Sequence, residues 1–388
     1  MSKAVRDLRK AIRVQQVALS AELSETSTVG PHEFEGPFGK VSYSYQRSDL
    51  SRTGIDWVPE LYARSSTGRA SDGLFFSSGM SAVGAVSSVL SRLGARSISI
   101  SPMAYYETHL LNTRFFPELE IETTQAELSS EADVLWLDTS STEWSEVPAH
   151  SGSVKVMVVD TTCVEADAGD IDGWMDDSRR LGCPLLLLRS HLKLDTFGLE
   201  LGKLGSIVAI SPDQESRHID DLLSSLRQAR AGLGLGFELA HLYPWLGEPE
   251  FFELSRLRAD GISRSTEIVT STIEAARAET DAFEIIPTAH RSLLFIKTGM
   301  TFPDEAWVRA RGLPDTIASR GTEAGLPVWR ANSFGSDRFT VLDFVDIHDG
   351  AHYLRISGAA VPDSQAAALG QHIRDATAEM LSQPWRPA

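Results

Sequence analysis

Lys193 closes the run Ser190-His191-Leu192-Lys193, which follows the apolar stretch from Pro184 to Leu188. An amine delivered by an apolar strand is partly desolvated, which lowers the pKa of its ammonium and suits it to Schiff-base formation. One apolar run upstream, Val156-Met157-Val158-Val159 ends in Asp160. Ser77-Ser78-Gly79-Met80 opens the apolar stretch Ser81 to Leu93 just after Leu74-Phe75-Phe76. Backbone N–H groups at a helix start, with two hydroxyls beside them, make an anion cradle. Amine, carboxylate and cradle match the needs of pyridoxal 5'-phosphate: an aldehyde, a ring nitrogen to be kept protonated as an electron sink, and a phosphate. Each has a plainer reading alone, since lysine stems snorkel to water and a strand-end Asp or a Ser-Ser-Gly commonly caps a helix. Their joint occurrence is what counts.

These groups need a scaffold that brings strand ends together. Between Asp72 and Ser211 the short runs Ser97–Ser101, Val134–Asp138, Val154–Asp160, Pro184–Arg189 and Ile207–Ser211 alternate with helical stretches. Runs of this kind predict an α/β fold with a mostly parallel sheet buried on both faces. Polar residues cluster at the ends of the runs, at Ser101, Asp138, Asp160, Arg189 with Ser190, and Ser211, the edge where open α/β sheets bind ligands. A chain of 388 residues exceeds what one core usually organises. The expected division is an amphipathic helix (Ser2 to Leu23) and arm over 1–48, a large cofactor-binding domain over 49–245, and a smaller α+β domain over 246–388. The last opens on a long helical pattern from Glu248 to Thr280. Strands are expected at Ser292–Lys297, Phe339–Phe344 and Tyr353–Ser357, and a helix at Asp363–Ser382.

A series of motifs, in order along the chain, resembles the Cys/Met-metabolism pyridoxal-phosphate enzymes, which include cystathionine synthases and lyases and methionine γ-lyase. Tyr43-Ser44-Tyr45-Gln46-Arg47-Ser48 is similar to Tyr-x-Tyr-Ser-Arg-Ser, and Phe76-Ser77-Ser78-Gly79-Met80 to Phe-Ser-Ser-Gly-Met. Tyr105-Tyr106-Glu107-Thr108 resembles Tyr-Gly-Gly-Thr, Trp136 to Ser141 resembles Trp-Ile-Glu-Thr-Pro-Thr, Val159-Asp160-Thr161-Thr162 resembles Val-Asp-Asn-Thr, and Ser190 to Lys193 resembles Ser-x-Thr-Lys. Ser333-Phe334-Gly335 and Leu354-Arg355-Ile356-Ser357 resemble Ser-Leu-Gly and Leu-Arg-Leu-Ser.

The resemblance implies a type I pyridoxal-phosphate fold with a seven-stranded-type sheet, and a Schiff base on Lys193. It implies Ser78, Gly79, Met80 and Ser190 at the phosphate, Asp160 and Thr162 at the ring, and Tyr105 stacked on the ring and able to move protons. Arg355, with Ser333 and Thr142, would bind the amino-acid substrate. Tyr45 and Arg47 would reach the cofactor phosphate of a neighbouring subunit in a homodimer or homotetramer. The implied chemistry is β- or γ-elimination or replacement, with an aminotransferase as the alternative within the same fold. The chain departs from the pattern at Thr142, where Asn is usual, at Leu192 in place of Thr, and over Leu194 to Gly202, which lacks a Gly-Gly-His loop.

Other classes fare worse. Ser190-His191-Leu192-Lys193 with Lys297-Thr298-Gly299 also satisfies the Ser-x-x-Lys and Lys-Thr-Gly elements of serine acyl-transferases, but that chemistry needs its Ser at a helix start and a Ser-Asp-Asn-like element between. A catalytically silent scaffold would not need Lys193, Asp160, Tyr105 and Arg355 together. A net charge of -17 opposes nucleic-acid and anionic-membrane binding. No apolar run is long enough to span a bilayer. His109, His191, His290 and His352 lack metal-ligand spacing and are expected to be surface or hydrogen-bonded structural residues, with His191 turned away from Lys193. Only Cys163 and Cys183 are present and the N-terminal stretch lacks a signal-type apolar core, so a cytoplasmic location is expected.

Overall fold

The computed structural model describes residues 7, 10, 11, 14, 32–36, 39–43, 70–101, 104–123, 132–140, 154–164, 170–199, 203–211, 217–237, 249–277, 283–288, 292–301, 311–346 and 350–382. Residues 7, 10, 11 and 14 are helical. Strands β1 (His32–Gly36) and β2 (Gly39–Tyr43) form an antiparallel pair. The described residues fall into two compact units, one lying within residues 1–139 and 144–256 and the other within 140–143 and 257–388.

The first unit is built on a seven-stranded sheet. Its strands are β3 (Ala70–Phe76), β4 (Ser97–Ile100), β5 (Glu120–Thr123), β6 (Val134–Asp138), β7 (Val156–Asp160), β8 (Leu185–Ser190) and β9 (Gly205–Ile210), in the spatial order β3-β9-β8-β7-β6-β4-β5. The pairings from β8 through to β5 are parallel, whereas β9 is antiparallel to both β3 and β8. The reversal of β9 corrects one expectation: Ser211 follows the end of β9 at the opposite edge, and Gly205, its first residue, pairs with Ser190 and Phe76 at the edge where the parallel strands end.

Successive strand residues point to opposite faces, and the core follows that alternation. Val134, Trp136, Val158, Leu186, Leu188 and Ile207 pack in one cluster with α1 (Gly79–Arg92) and α4 (Arg217–Gly232). Leu135, Leu137, Met157, Val159, Leu185, Leu187 and Val208 form a second with α3 (Asp170–Leu181). Helix α1 forms because Ala82, Val83, Val86, Val89 and Leu90 recur at three- and four-residue spacing and bury one stripe. It ends where Gly94 takes φ +77° and its N–H reaches the Ser91 carbonyl, a turn that glycine enters without strain.

The main part of the second unit begins within α5 (Pro249–Arg277), whose first residue is a proline, the helix position where a missing N–H costs nothing. Strands β10 (Glu284–Pro287), β11 (Leu293–Thr301), β12 (Val328–Arg330), β13 (Phe339–Val345) and β14 (Ala351–Ser357) make a five-stranded sheet in the order β10-β11-β14-β13-β12. Every pairing in it is antiparallel except that of β12 with β13. Leu294, Ile296, Val341, Leu354 and Ile356 face Val269 and Ile273 of α5, Leu313 and Ile317 of α6 (Leu313–Glu323), and Leu369 and Ile373 of α7 (Asp363–Ser382). Among the described residues no helix is long and apolar enough to cross a membrane.

Candidate active site

The amino end of α1 is seated directly on the ends of β8 and β9. Ser78 caps the helix in an extended conformation, its Oγ accepting the Ser81 N–H at 3.0 Å, and the hydroxyls of Ser77 and Ser78 each lie 2.8 Å from that of Ser81. Two glycines permit this approach. A Cβ on Gly79 would stand 2.6 Å from Ser190 Cβ, and one on Gly205 would stand 2.2 Å from the Ser78 carbonyl oxygen and 2.7 Å from the Gly79 nitrogen. Gly205→Ala therefore meets backbone that no rotamer change relieves, and is expected to cost about 3 kcal/mol of stability. Gly173→Ala, on an exposed face of α3 with nothing within 4 Å, is expected to gain about 0.5–1 kcal/mol. Thermal unfolding of the two variants measures both signs.

Beside the cradle, β6 and β7 run parallel in a register that pairs Asp138 with Asp160. By alternation both carboxylates lie on the α1 face, and both are buried. Asp138 Oδ2 accepts the Tyr105 N–H at 2.8 Å, which fixes Tyr105 at the start of α2 (Tyr106–Phe115). Asp160 Oδ1 accepts the Thr162 N–H at 2.9 Å and the Thr162 hydroxyl at 2.5 Å. Burial, with the Asp138 charge alongside, raises the Asp160 carboxyl to about 7. Such a group is stabilised by a cationic N–H donor placed against it. The protonated ring nitrogen of pyridoxal phosphate is one, so the carboxylate pair and the glycine-lined cradle fit that cofactor.

Thr162 also joins the carboxylate to the lysine strand. Its Oγ1 accepts the Ser190 N–H at 2.9 Å, so the residue that donates to Asp160 holds the last residue of β8. Ser190 ends a strand and does not start a helix, which removes the placement that a Ser-x-x-Lys acyl-transferase requires. Lys193, half-buried, precedes a short 3-10 turn from Leu194 to Thr196, and the Thr196 hydroxyl donates to the Leu192 carbonyl at 2.9 Å.

On the opposite face of the sheet lies a buried polar network that sequence reasoning did not single out. Arg189 donates to both oxygens of Asp195, at 2.8 and 2.6 Å, and to the carbonyls of Thr161 and Val164. His191 Nδ1 lies 2.7 Å from Asp195 Oδ2 and its Nε2 lies 2.8 Å from Ser206 Oγ. Burial alone would raise the Asp195 carboxyl, but Arg189 and His191 hold it down at about 2. Burial lowers the pKa of His191 and keeps the ring neutral, so Nδ1–H donates to Asp195 and Nε2 accepts from Ser206. The connectivity is that of a serine-hydrolase triad, yet Asp195 and His191 are 0% exposed and Ser206 1%, which leaves a substrate no access. The available signal was Arg189 itself, a guanidinium ending the run Leu185 to Leu188.

In the second unit, Arg355 on β14 donates to the Asn332 carbonyl at 2.7 Å, and Arg258 on α5 donates to the Gly335 carbonyl at 2.8 Å. Between these anchors the Ser333 carbonyl accepts from the Thr340 hydroxyl. Lys297 lies over the Tyr353 ring at 5.6 Å. His109 and His352 are buried and hydrogen-bonded, to the Ser101 carbonyl at 3.0 Å and to Thr298 Oγ1 at 2.9 Å. Tyr45, Arg47, Thr142 and His290 lie outside the described residues.

The seven-stranded sheet with its single reversed strand, followed by a smaller α+β unit, is the type I fold of pyridoxal-phosphate enzymes. Solved structures that the chain resembles include cystathionine gamma synthase from Xanthomonas oryzae pv. oryzae, in complex with cystathionine and in complex with aminoacrylate and cysteine. These match at TM-scores of 0.61 and 0.60 and 13% and 12% identity, each over 95% of this chain and 99% of that one. MetB from Corynebacterium glutamicum matches at 0.58 and 14% identity over 86% of this chain and 87% of that one. Apo CalE6, a methionine gamma lyase from Micromonospora echinospora, matches at 0.55 and 14% over 87% and 88%. No family model and no curated protein matches the sequence.

Proposed function

We propose that the chain is a pyridoxal-phosphate enzyme that eliminates or replaces a substituent on the β- or γ-carbon of an amino acid. The carrying observation is the convergence at one sheet edge of a half-buried lysine, a buried carboxylate raised to about 7 and a helix start opened by glycine. The similar structures support the reaction class, since they include a cystathionine gamma synthase and a methionine gamma lyase.

When bound, the cofactor supplies an electron sink for charge developing at the substrate's Cα. In this reading Ser78, Gly79 and Met80 hold the phosphate from the α1 start, with Ser190 beside them. Asp160, oriented by Thr162, keeps the proton on the ring nitrogen. Lys193 Nζ would hold the cofactor at its aldehyde carbon and would take the substrate's Cα proton. Tyr105 covers the ring and gives a proton to the leaving group. Arg355 binds the substrate carboxylate, Ser333 and Thr142 contribute further substrate contacts, and Tyr45 and Arg47 serve the neighbouring subunit of a homo-oligomer.

The test is to incubate the purified chain with pyridoxal phosphate, reduce with borohydride and map the label, expected on Lys193. Released ammonia, keto acid and thiol are then assayed across a panel of amino acids. Keto acid without ammonia, with the amine retained on the cofactor, identifies an aminotransferase instead. Failure to take up the cofactor overturns the proposal. Arg355→Ala is expected to retain cofactor while raising KM for the amino acid about 100-fold, the scale of a lost charge-assisted carboxylate contact. Steady-state kinetics beside cofactor titration separates the two effects.

A further inference from the structure

Lys193 sits between two residues that meet at one carboxylate. His191, two positions before it, and Asp195, two positions after it, are hydrogen-bonded side chain to side chain at 2.7 Å. Asp195 is also gripped by the Arg189 guanidinium through two bonds. The far end of His191 is held by Ser206 on β9, the residue that pairs with Arg189 across the strands. The edge of the Phe75 ring from β3 lies against His191 at 5.8 Å between centroids. The turn carrying Lys193 is thereby fastened to β3, β8 and β9 from beneath, on the face away from the cradle. Leu192 can contribute no side-chain hydrogen bond to that turn.

We propose that Asp195 is the positioning residue for Lys193, its carboxylate closing the His191-to-Asp195 turn so that the amine leaves the turn toward Ser190 and the α1 start. The inference rests on the reading of Lys193 as the cofactor-binding lysine. Covalent capture requires Lys193 Nζ to add to the aldehyde carbon as a free amine, with the carbonyl oxygen lost as water and a C=N bond formed. That step depends on the direction of the amine. Phosphate binding at Ser78 and Gly79 does not.

The experiment compares two ligands on Asp195→Asn and on the double variant Arg189→Met/Asp195→Leu, which replaces the buried pair by apolar groups of similar volume, a change that folded proteins often tolerate. Pyridoxal phosphate reports covalent capture, read as borohydride-fixed label on Lys193. Pyridoxine phosphate has no aldehyde and reports the cradle alone. In a variant folded by circular dichroism, covalent capture should fall about tenfold to a hundredfold, the range expected for misplacing a reacting group by about an ångström. Pyridoxine phosphate affinity should match the wild type. Wild-type capture in either folded variant overturns the proposal, as does equal weakening of both ligands, which marks a purely structural role. If Asp195→Asn does not fold, the double variant decides; if neither folds, the network is structural and the proposal fails. A wild type that takes no label on Lys193 sinks the functional reading and this inference with it. A labelled wild type with unchanged variants sinks the inference alone.

Discussion

Lys193→Ala is expected to abolish borohydride-fixed cofactor and to lower turnover by about a thousandfold or more, within the range associated with loss of a positioned proton-transfer group. The effect is large because one amine serves two tasks in the proposed reaction, holding the cofactor and moving the Cα proton. The variant is expected to remain folded, since Asp195, His191 and Thr196 hold the turn. Peptide mapping with the steady-state rate measures both consequences. Label that persists at another lysine, with turnover intact, would show Lys193 to be an ordinary half-buried lysine.

Asp160→Asn is expected to move activity and stability in opposite directions. Burial and the neighbouring Asp138 raise the Asp160 carboxyl to about 7 in the folded chain, against an ordinary value of 3.8. The folded state thus binds a proton that the unfolded state releases. Its favourable contribution is complete below about pH 4 and is lost as pH rises through about 7. The ionised carboxylate then costs up to about 4 kcal/mol in cofactor-free protein, the free-energy equivalent of that displacement. Asp160→Asn should therefore raise the melting temperature of cofactor-free protein at pH 8.5, flatten its decline between pH 5.5 and 8.5, and lower turnover about a hundredfold or more, because an amide cannot keep the ring nitrogen protonated. Melting curves at the two pH values test the first part without reference to activity. An unchanged pH dependence would show that the Thr162 hydrogen bonds and the Arg189 charge already compensate the carboxylate.

Much of the scaffold could be read from residue patterns because burial imposes them. The run Val156 to Val159 had to be a strand covered on both faces, and Ser77-Ser78-Gly79 before Ala82, Val83 and Val86 had to be a helix start. The expected helix Asp363–Ser382 has the same bounds in the structure. What the pattern lacks is direction. Ile207 to Ile210 reads as an equally buried strand whichever way it runs, so Ser211 was placed at the wrong edge and Gly205 was overlooked. The support network escaped for a related reason: Arg189 and Ser190 are neighbours at the end of one run, but strand alternation sends Ser190 to the α1 face and Arg189 to the other. Asp195 and Ser206 come from separate elements, and only the β8–β9 register brings Ser206 opposite Arg189. Tyr105 and Arg355 were singled out by motif likeness; periodicity alone marks neither.

The reversed strand also dictates an order of assembly. β3, spanning residues 70 to 76, finds its hydrogen-bonding partner in β9, at residues 205 to 210. A chain emerging from the ribosome must therefore carry Leu74, Phe75 and Phe76 unpaired while the strands between are synthesised. The α1 start cannot close on Gly205 until then. Long-range pairing of this kind slows folding and prolongs exposure of apolar strand surface. The seat of the α1 start on Gly205 is thus among the last features of the large unit to form, and nascent chains that stop short of β9 would depend most on chaperones.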